Sequence, residues 1–234
     1  MLQRTVQLVA VLCLAFLAAS PAQGGSSKAA GCGVSEFSYA GLQADRKAHG
    51  VAAPLAPIKA PVVSDGHVGG WVGVGGTNAG PGGVAEWIQV GLAAFSGAES
   101  QTSKMYYEVT VAGSTPRYVE LDPSVNPGDA HRVSVLEMSH RKSWLRVWVD
   151  RRPVSPPIHL PGSHGAWYPQ AVAENWNGGT GACNAYAYRF TDITLAHASG
   201  GKWQPLEGSL LFEDAGYKVV KTSSTPRSFV ATSL

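Results

Sequence analysis

From Phe37 onward the chain alternates short runs of β-branched and aromatic residues with clusters of turn residues, and no stretch sustains a helical period. The runs predict strands over 37–43, 51–58, 70–74, 85–94, 104–112, 131–138, 144–150, 158–160, 166–175 and 186–195, with a closing pair over 217–222 and 228–232. Turn chemistry separates them at Asn78 to Gly83, Asn126-Pro127-Gly128-Asp129, Pro153 to Pro157 and Asn177-Gly178-Gly179. Many short strands at this spacing mark an all-β antiparallel sandwich or barrel. Neither a long linker nor a repeat interrupts them, so 36–234 is expected to be a single domain.

Alternation also sorts side chains by face. In Trp87-Ile88-Gln89-Val90-Gly91-Leu92 the aliphatic Ile88, Val90 and Leu92 point one way, which sets Gln89 on the other side. In Trp144-Leu145-Arg146-Val147-Trp148-Val149 the same rule sets Trp144, Arg146 and Trp148 opposite Leu145, Val147 and Val149. A face of that kind is either a groove lining or a solvated surface with two indoles tucked under a loop.

Composition supports the strand reading. Charged residues make up 15% of the 234, with 28 Gly and 15 Pro, which disfavours long solvated helices. Eighteen basic against 16 acidic residues give a net charge of +2, too little to neutralise a phosphate backbone, so no nucleic-acid partner is expected.

The first 22 residues combine Arg4, an apolar run from Val6 to Ala19 and the small residues Ser20-Pro21-Ala22, the pattern of a cleaved secretory signal. The run is shorter than a membrane span, and a Gly, Ser and Ala leader (23–35) follows it. The mature protein is therefore expected outside the cell, with no membrane partner. Export would leave Cys32 and Cys183, which can form one disulfide in an oxidising compartment. Two alternatives stand beside it: two free thiols, or a lipid attached at Cys32 through Ala29-Ala30-Gly31-Cys32.

The common catalytic signatures are missing from the sequence: Gly-x-Ser-x-Gly, His-Glu-x-x-His, a phosphate-binding loop and paired Cys-x-x-Cys. The seven His are scattered without ligand spacing, each reading as a surface or packed residue. The glycines at 73–76 and 80–83 lead into a strand, whereas a phosphate cradle leads into a helix.

A series of blocks does carry a resemblance. Gly70-Trp71-Val72-Gly73-Val74-Gly75-Gly76, Glu86-Trp87-Ile88-Gln89-Val90-Gly91, Tyr106-Tyr107-Glu108, Pro127-Gly128-Asp129 and Gln170-Ala171-Val172-Ala173-Glu174-Asn175-Trp176 follow one another in the order and spacing of the glutamic peptidases, the eqolisins. The chain resembles that family across 37–232. The resemblance implies a sandwich of two curved antiparallel sheets of the concanavalin A-like jelly-roll kind. It also implies cleavage of polypeptide substrates at acid pH by a Gln and Glu dyad, with no metal or other cofactor, in a protein expected to be a monomer. The dyad Gln falls on Gln89 and the dyad Glu on Glu174, while Trp71 and Glu108 match further site positions. Two positions depart: the family's Asp in the first block is Gly75 here, and an earlier Glu on the second active-site strand is Gln170.

The chemistry of such a pair is direct. A carboxylate at Glu174 can take a proton from a water aimed at a carbonyl carbon and then return it to the leaving amine. The Gln89 amide can orient that water through its oxygen and donate an N–H to the developing oxyanion, and it does not titrate. Trp144, Arg146 and Trp148 would then hold an extended peptide. Two other function classes compete: a non-catalytic lectin-like sandwich binding glycan or protein on one face, and a glycoside hydrolase, which would need Glu108 as a second carboxylate beside Glu174.

Overall fold

The computed structural model describes residues 35–97, 102–178 and 183–234. The expected signal peptide, nearly all of the expected leader and Cys32 lie outside these. The strands are β1 (Phe37–Ala44), β2 (Gly50–Pro57), β3 (Val62–Val63), β4 (His67–Gly76), β5 (Glu86–Phe95), β6 (Ser103–Thr110), β7 (Arg117–Val125), β8 (His131–Glu137), β9 (Trp144–Val149) and β10 (Arg152–Pro153). They continue as β11 (Ile158–His159), β12 (Gln170–Trp176), β13 (Asn184–Ala185), β14 (Ala187–Phe190), β15 (Thr194–Ala198), β16 (Gly201–Pro205), β17 (Ser209–Glu213), β18 (Tyr217–Lys221) and β19 (Phe229–Ser233). Among the described residues the one helical element is a short 3-10 turn at Pro81–Gly83.

Two antiparallel sheets pack face to face. The first has seven strands in the order β17-β1-β12-β4-β5-β6-β7. The second runs β10-β9-β8-β2-β14-β19-β18, with β11 beside β9 and β15 linking β2 to β16. A two-stranded patch of β3 and β13 completes the set. The core lies between the sheets because alternation gives each long strand one apolar side. Ile88, Val90, Leu92 and Val72 of the first sheet meet Val133, Val135, Val147, Phe190 and Phe229 of the second in one buried cluster. Each such side chain contributes roughly 1.5–3 kcal/mol on burial.

The structure revises several expected elements. Strand 70–74 extends to 67–76, and 166–175 begins only at Gln170. Segment 186–195 is broken at Asp192, where a φ of 44° turns the chain between β14 and β15. The strands β7, β16 and β17 stand where no strand was expected.

Candidate active site

The face of the first sheet turned away from the core carries the candidate site. Along β4 this face presents His67, Gly69, Trp71 and Gly73; along β5, Gln89, Gly91 and Ala93; along β12, Gln170, Val172 and Glu174. Register fixes how they meet. One row across the sheet runs Gln43, Gln170, Gly73, Gln89, Glu108, Tyr118. The next runs Phe212, Gly41, Val172, Trp71, Gly91, Tyr106. A third runs Tyr39, Glu174, Gly69, Ala93. Gln89 and Glu174 thus stand on one face, in the rows on either side of Trp71.

Although this face looks outward, it is recessed. Trp71, Ala93, Tyr106 and Val172 form a small apolar floor, walled by Tyr39, Phe95, Tyr118 and Phe212. Gln89 is only 7% exposed and Glu174 only 8%, so both polar groups act in a partly dry environment. The floor depends on missing side chains. A Cβ on Gly91 would lie 2.0 Å from the Gly70 carbonyl oxygen and 2.7 Å from the Trp71 Cβ, so nothing larger lets the indole lie across β5.

Hydrogen bonds and charge then set the chemistry. Gln89 Nε2 donates to the Tyr106 hydroxyl at 3.1 Å, and the Tyr106 ring stacks on Tyr118 with centroids 4.9 Å apart. Burial, then the charges of Glu174 and Glu108, push the Tyr106 phenol well above its ordinary value, so it stays protonated beside Gln89. Glu108 is raised to about 7, first by burial and then by the negative charge of Glu174, against the opposing influence of His67 and a hydrogen bond from Trp87. Below that pH it is a neutral acid. Glu174 has a basic neighbour as well: His67 Nε2 lies 3.6 Å from Glu174 Oε1, with both side chains nearly buried. Phe37 and Phe95 hold the imidazole, at ring distances of 6.0 Å and 5.4 Å. The indole N–H of Trp71 and the hydroxyl of Tyr118 are buried without a hydrogen-bond partner.

Both departures from the resembled family have structural reasons. Gly75 has a φ of 99°, and a Cβ there would meet the Glu86 carbonyl oxygen at 2.3 Å, so an Asp does not fit this backbone. Gln170 donates to the Gln43 side chain at 3.2 Å, an amide pair occupying that end of the row.

Of the residues singled out in the sequence, Trp71, Gln89, Glu108 and Glu174 come together. Trp144, Arg146 and Trp148 do not. They lie on β9 in the second sheet, opposite the buried Leu145 and Val147, and so face away from the core on the far side of the sandwich. Trp144 is packed between the Arg141 guanidinium, 4.5 Å from its ring, and the stacked ring of His159. Expecting these three residues in the groove was therefore an error: alternation separates the two sides of a strand without telling which sheet holds it. His67 and Tyr106 were not singled out as site residues; carrying the alternation of β4 four residues back from Trp71 would have put His67 on its face.

The sequence matches no protein-family model and no curated protein. Among solved structures, the fold is similar to that of Scytalido-glutamic peptidase, solved with a peptide-based transition state analog, at 16% identity and a TM-score of 0.58, covering 85% of this chain and 99% of that one. It is also similar to SCP-B, a member of the eqolisin family of peptidases solved with the tripeptide Ala-Ile-His, at 16% identity and a TM-score of 0.53, covering 86% of this chain and 99% of that one.

Proposed function

We propose that this protein, which has the fold of the glutamic peptidases, is a secreted endopeptidase that hydrolyses peptide bonds in acid medium with Glu174 and Gln89. The reading rests on one observation: a carboxylate and a non-titrating amide stand on the same recessed face, flanking the Trp71 floor. Glu174 removes a proton from the attacking water as its oxygen bonds to the carbonyl carbon, and Gln89 donates an N–H to the oxygen that gains charge. As the C–N bond breaks, Glu174 returns the proton to the amine. The bond from Gln89 to Tyr106 fixes the amide's orientation, which is what an oxyanion donor requires.

The surroundings suit a polypeptide. The unpartnered Trp71 N–H and Tyr118 hydroxyl are donors for main-chain carbonyls of an extended substrate, and their burial makes that pairing favourable. Glu108, neutral below about pH 7, adds no second negative charge beside Glu174 in acid. Export leaves Cys32 available to Cys183, which is 6% exposed, and we expect them to form a disulfide. Incubating the mature protein with denatured casein from about pH 2 to about pH 7 tests the reading. Fragments that appear in acid and disappear with Glu174→Gln support it, whereas ligand binding without turnover at any pH identifies a binding module instead.

A further inference from the structure

A second constellation lies at one end of the other sheet, apart from the candidate dyad. Its centre is Glu137, the last residue of β8, which is 1% exposed. Oε2 of Glu137 is 2.5 Å from His49 Nδ1, just before β2, and Oε1 is 2.9 Å from His164 Nδ1 in the loop ahead of β12. The ligand-type atoms of His49, Glu137 and His164 all lie within 4.8 Å of one another. Residues 88 and 27 positions from Glu137 are thereby brought to one point, a grouping with no local spacing for a sequence reading to detect.

Several features look built for this point. Ser143 N–H donates to Glu137 Oε1 at 2.6 Å and orients the carboxylate. Ser143 and His164 both adopt left-handed backbone, with φ of 61° and 51°, a conformation that costs non-glycine residues of order 1–3 kcal/mol and persists only where the surroundings impose it. These two strained residues are the ones that deliver the N–H and the second imidazole. At Gly165 a Cβ would lie 2.6 Å from His49 Nε2, so glycine there makes room for the first imidazole. His164 is 45% exposed, giving access from solvent.

We propose that His49, Glu137 and His164 bind one divalent transition-metal ion of the zinc type, independently of peptide hydrolysis. Two imidazole nitrogens and one carboxylate oxygen are the ligand set of an open three-residue zinc site, with the remaining position taken by water. Ligands at about 2.0–2.1 Å around a tetrahedral centre stand roughly 3.3 Å apart. Accepting the ion therefore means opening the two carboxylate contacts by less than about 1 Å and bringing the three ligand atoms, already within 4.8 Å of one another, to that common spacing. The bound ion ties the entry to β2, the end of β8 and the loop before β12, and so stabilises the folded chain.

The full mature protein, stripped with chelator and dialysed, is titrated with zinc chloride near neutral pH and followed by calorimetry and thermal unfolding. We expect one ion per chain, a higher Tm, and a visible d–d spectrum of low-symmetry coordination when cobalt(II) replaces zinc. His164→Gln, a change at a half-exposed position, should weaken binding by more than the ~10–100-fold that loss of an outer-shell partner costs, and should abolish the rise in Tm that zinc gives the wild type. His49→Gln provides a second ligand test. Absence of a stoichiometric binding event, or zinc binding that both variants leave intact, overturns the proposal. Wild-type protein still cleaving casein after chelation fits the stated independence; activity that requires the ion contradicts it.

Discussion

Replacing Glu108 by Gln should change how stability depends on pH, by an amount the structure predicts. Burial and the charge of Glu174 raise the Glu108 carboxyl from 4.5 to about 7 in the folded chain. Because the folded value lies above the unfolded one, the folded protein keeps a proton that the unfolded chain has released between those two values. The contribution is complete below 4.5 and is lost as the pH rises to about 7. At about 1.4 kcal/mol per pH unit this interval is worth about 3 kcal/mol, or roughly 6–12 °C in Tm for a domain of this size. The Gln variant cannot lose that proton, so its stability should lack this component. Urea or thermal unfolding of both proteins at about pH 4 and about pH 8 measures the effect. The gap between them should move against the wild type by about 3 kcal/mol, and by less in a Glu174→Gln background, where the neighbouring charge is gone. Parallel curves for wild type and variant would refute the burial and charge coupling described for this face.

Three further outcomes follow from named contacts. His67→Ala should lower kcat on casein by about tenfold with KM little changed, because the imidazole 3.6 Å from Glu174 holds and orients the carboxylate; a lower Tm with kcat unchanged in the folded variant would make His67 merely structural. Trp148→Ala should leave turnover and KM unaltered, since β9 belongs to the sheet opposite the site, and a rise in KM would mean that substrate reaches around the sandwich. Untreated secreted protein, denatured and assayed for thiols, should show no titratable cysteine if Cys32 and Cys183 pair; two per chain would rule the bridge out.

The sequence carried more of the fold than of the site, and the misses have physical reasons. The long strands β4, β5 and β9 announce themselves because one side of each must be apolar to cover the core, and that alternation also put Gln89 off the core side. Strand β7 hides because Asp122-Pro123 interrupts the alternation in the sequence, and as an edge strand it pairs on one side only. Strand β17 is likewise an edge, and its Leu210 and Leu211, 61% and 51% exposed, give no alternation to read. At the candidate site, the placement of Gln89 and Glu174 off the aliphatic side of β5 and β12 was legible in the alternation. The partners beside them were not: Tyr106 reaches Gln89 diagonally from the neighbouring strand β6, and His67 reaches Glu174 only once β4 and β12 pair in register. The grouping of His49, Glu137 and His164 is the extreme case, assembled from three separate segments by the closure of the sandwich.

The account stands or falls most directly on Glu174→Gln. The substitution keeps the size and hydrogen-bonding capacity of a side chain that is 8% exposed while removing its basic oxygen, so circular dichroism and Tm should stay close to wild type. Casein hydrolysis at the acid optimum of the wild type should fall by roughly two or more orders of magnitude in kcat, with peptide affinity retained. A correctly folded Glu174→Gln protein that cleaves as fast as wild type would contradict the assignment of this carboxylate as the general base.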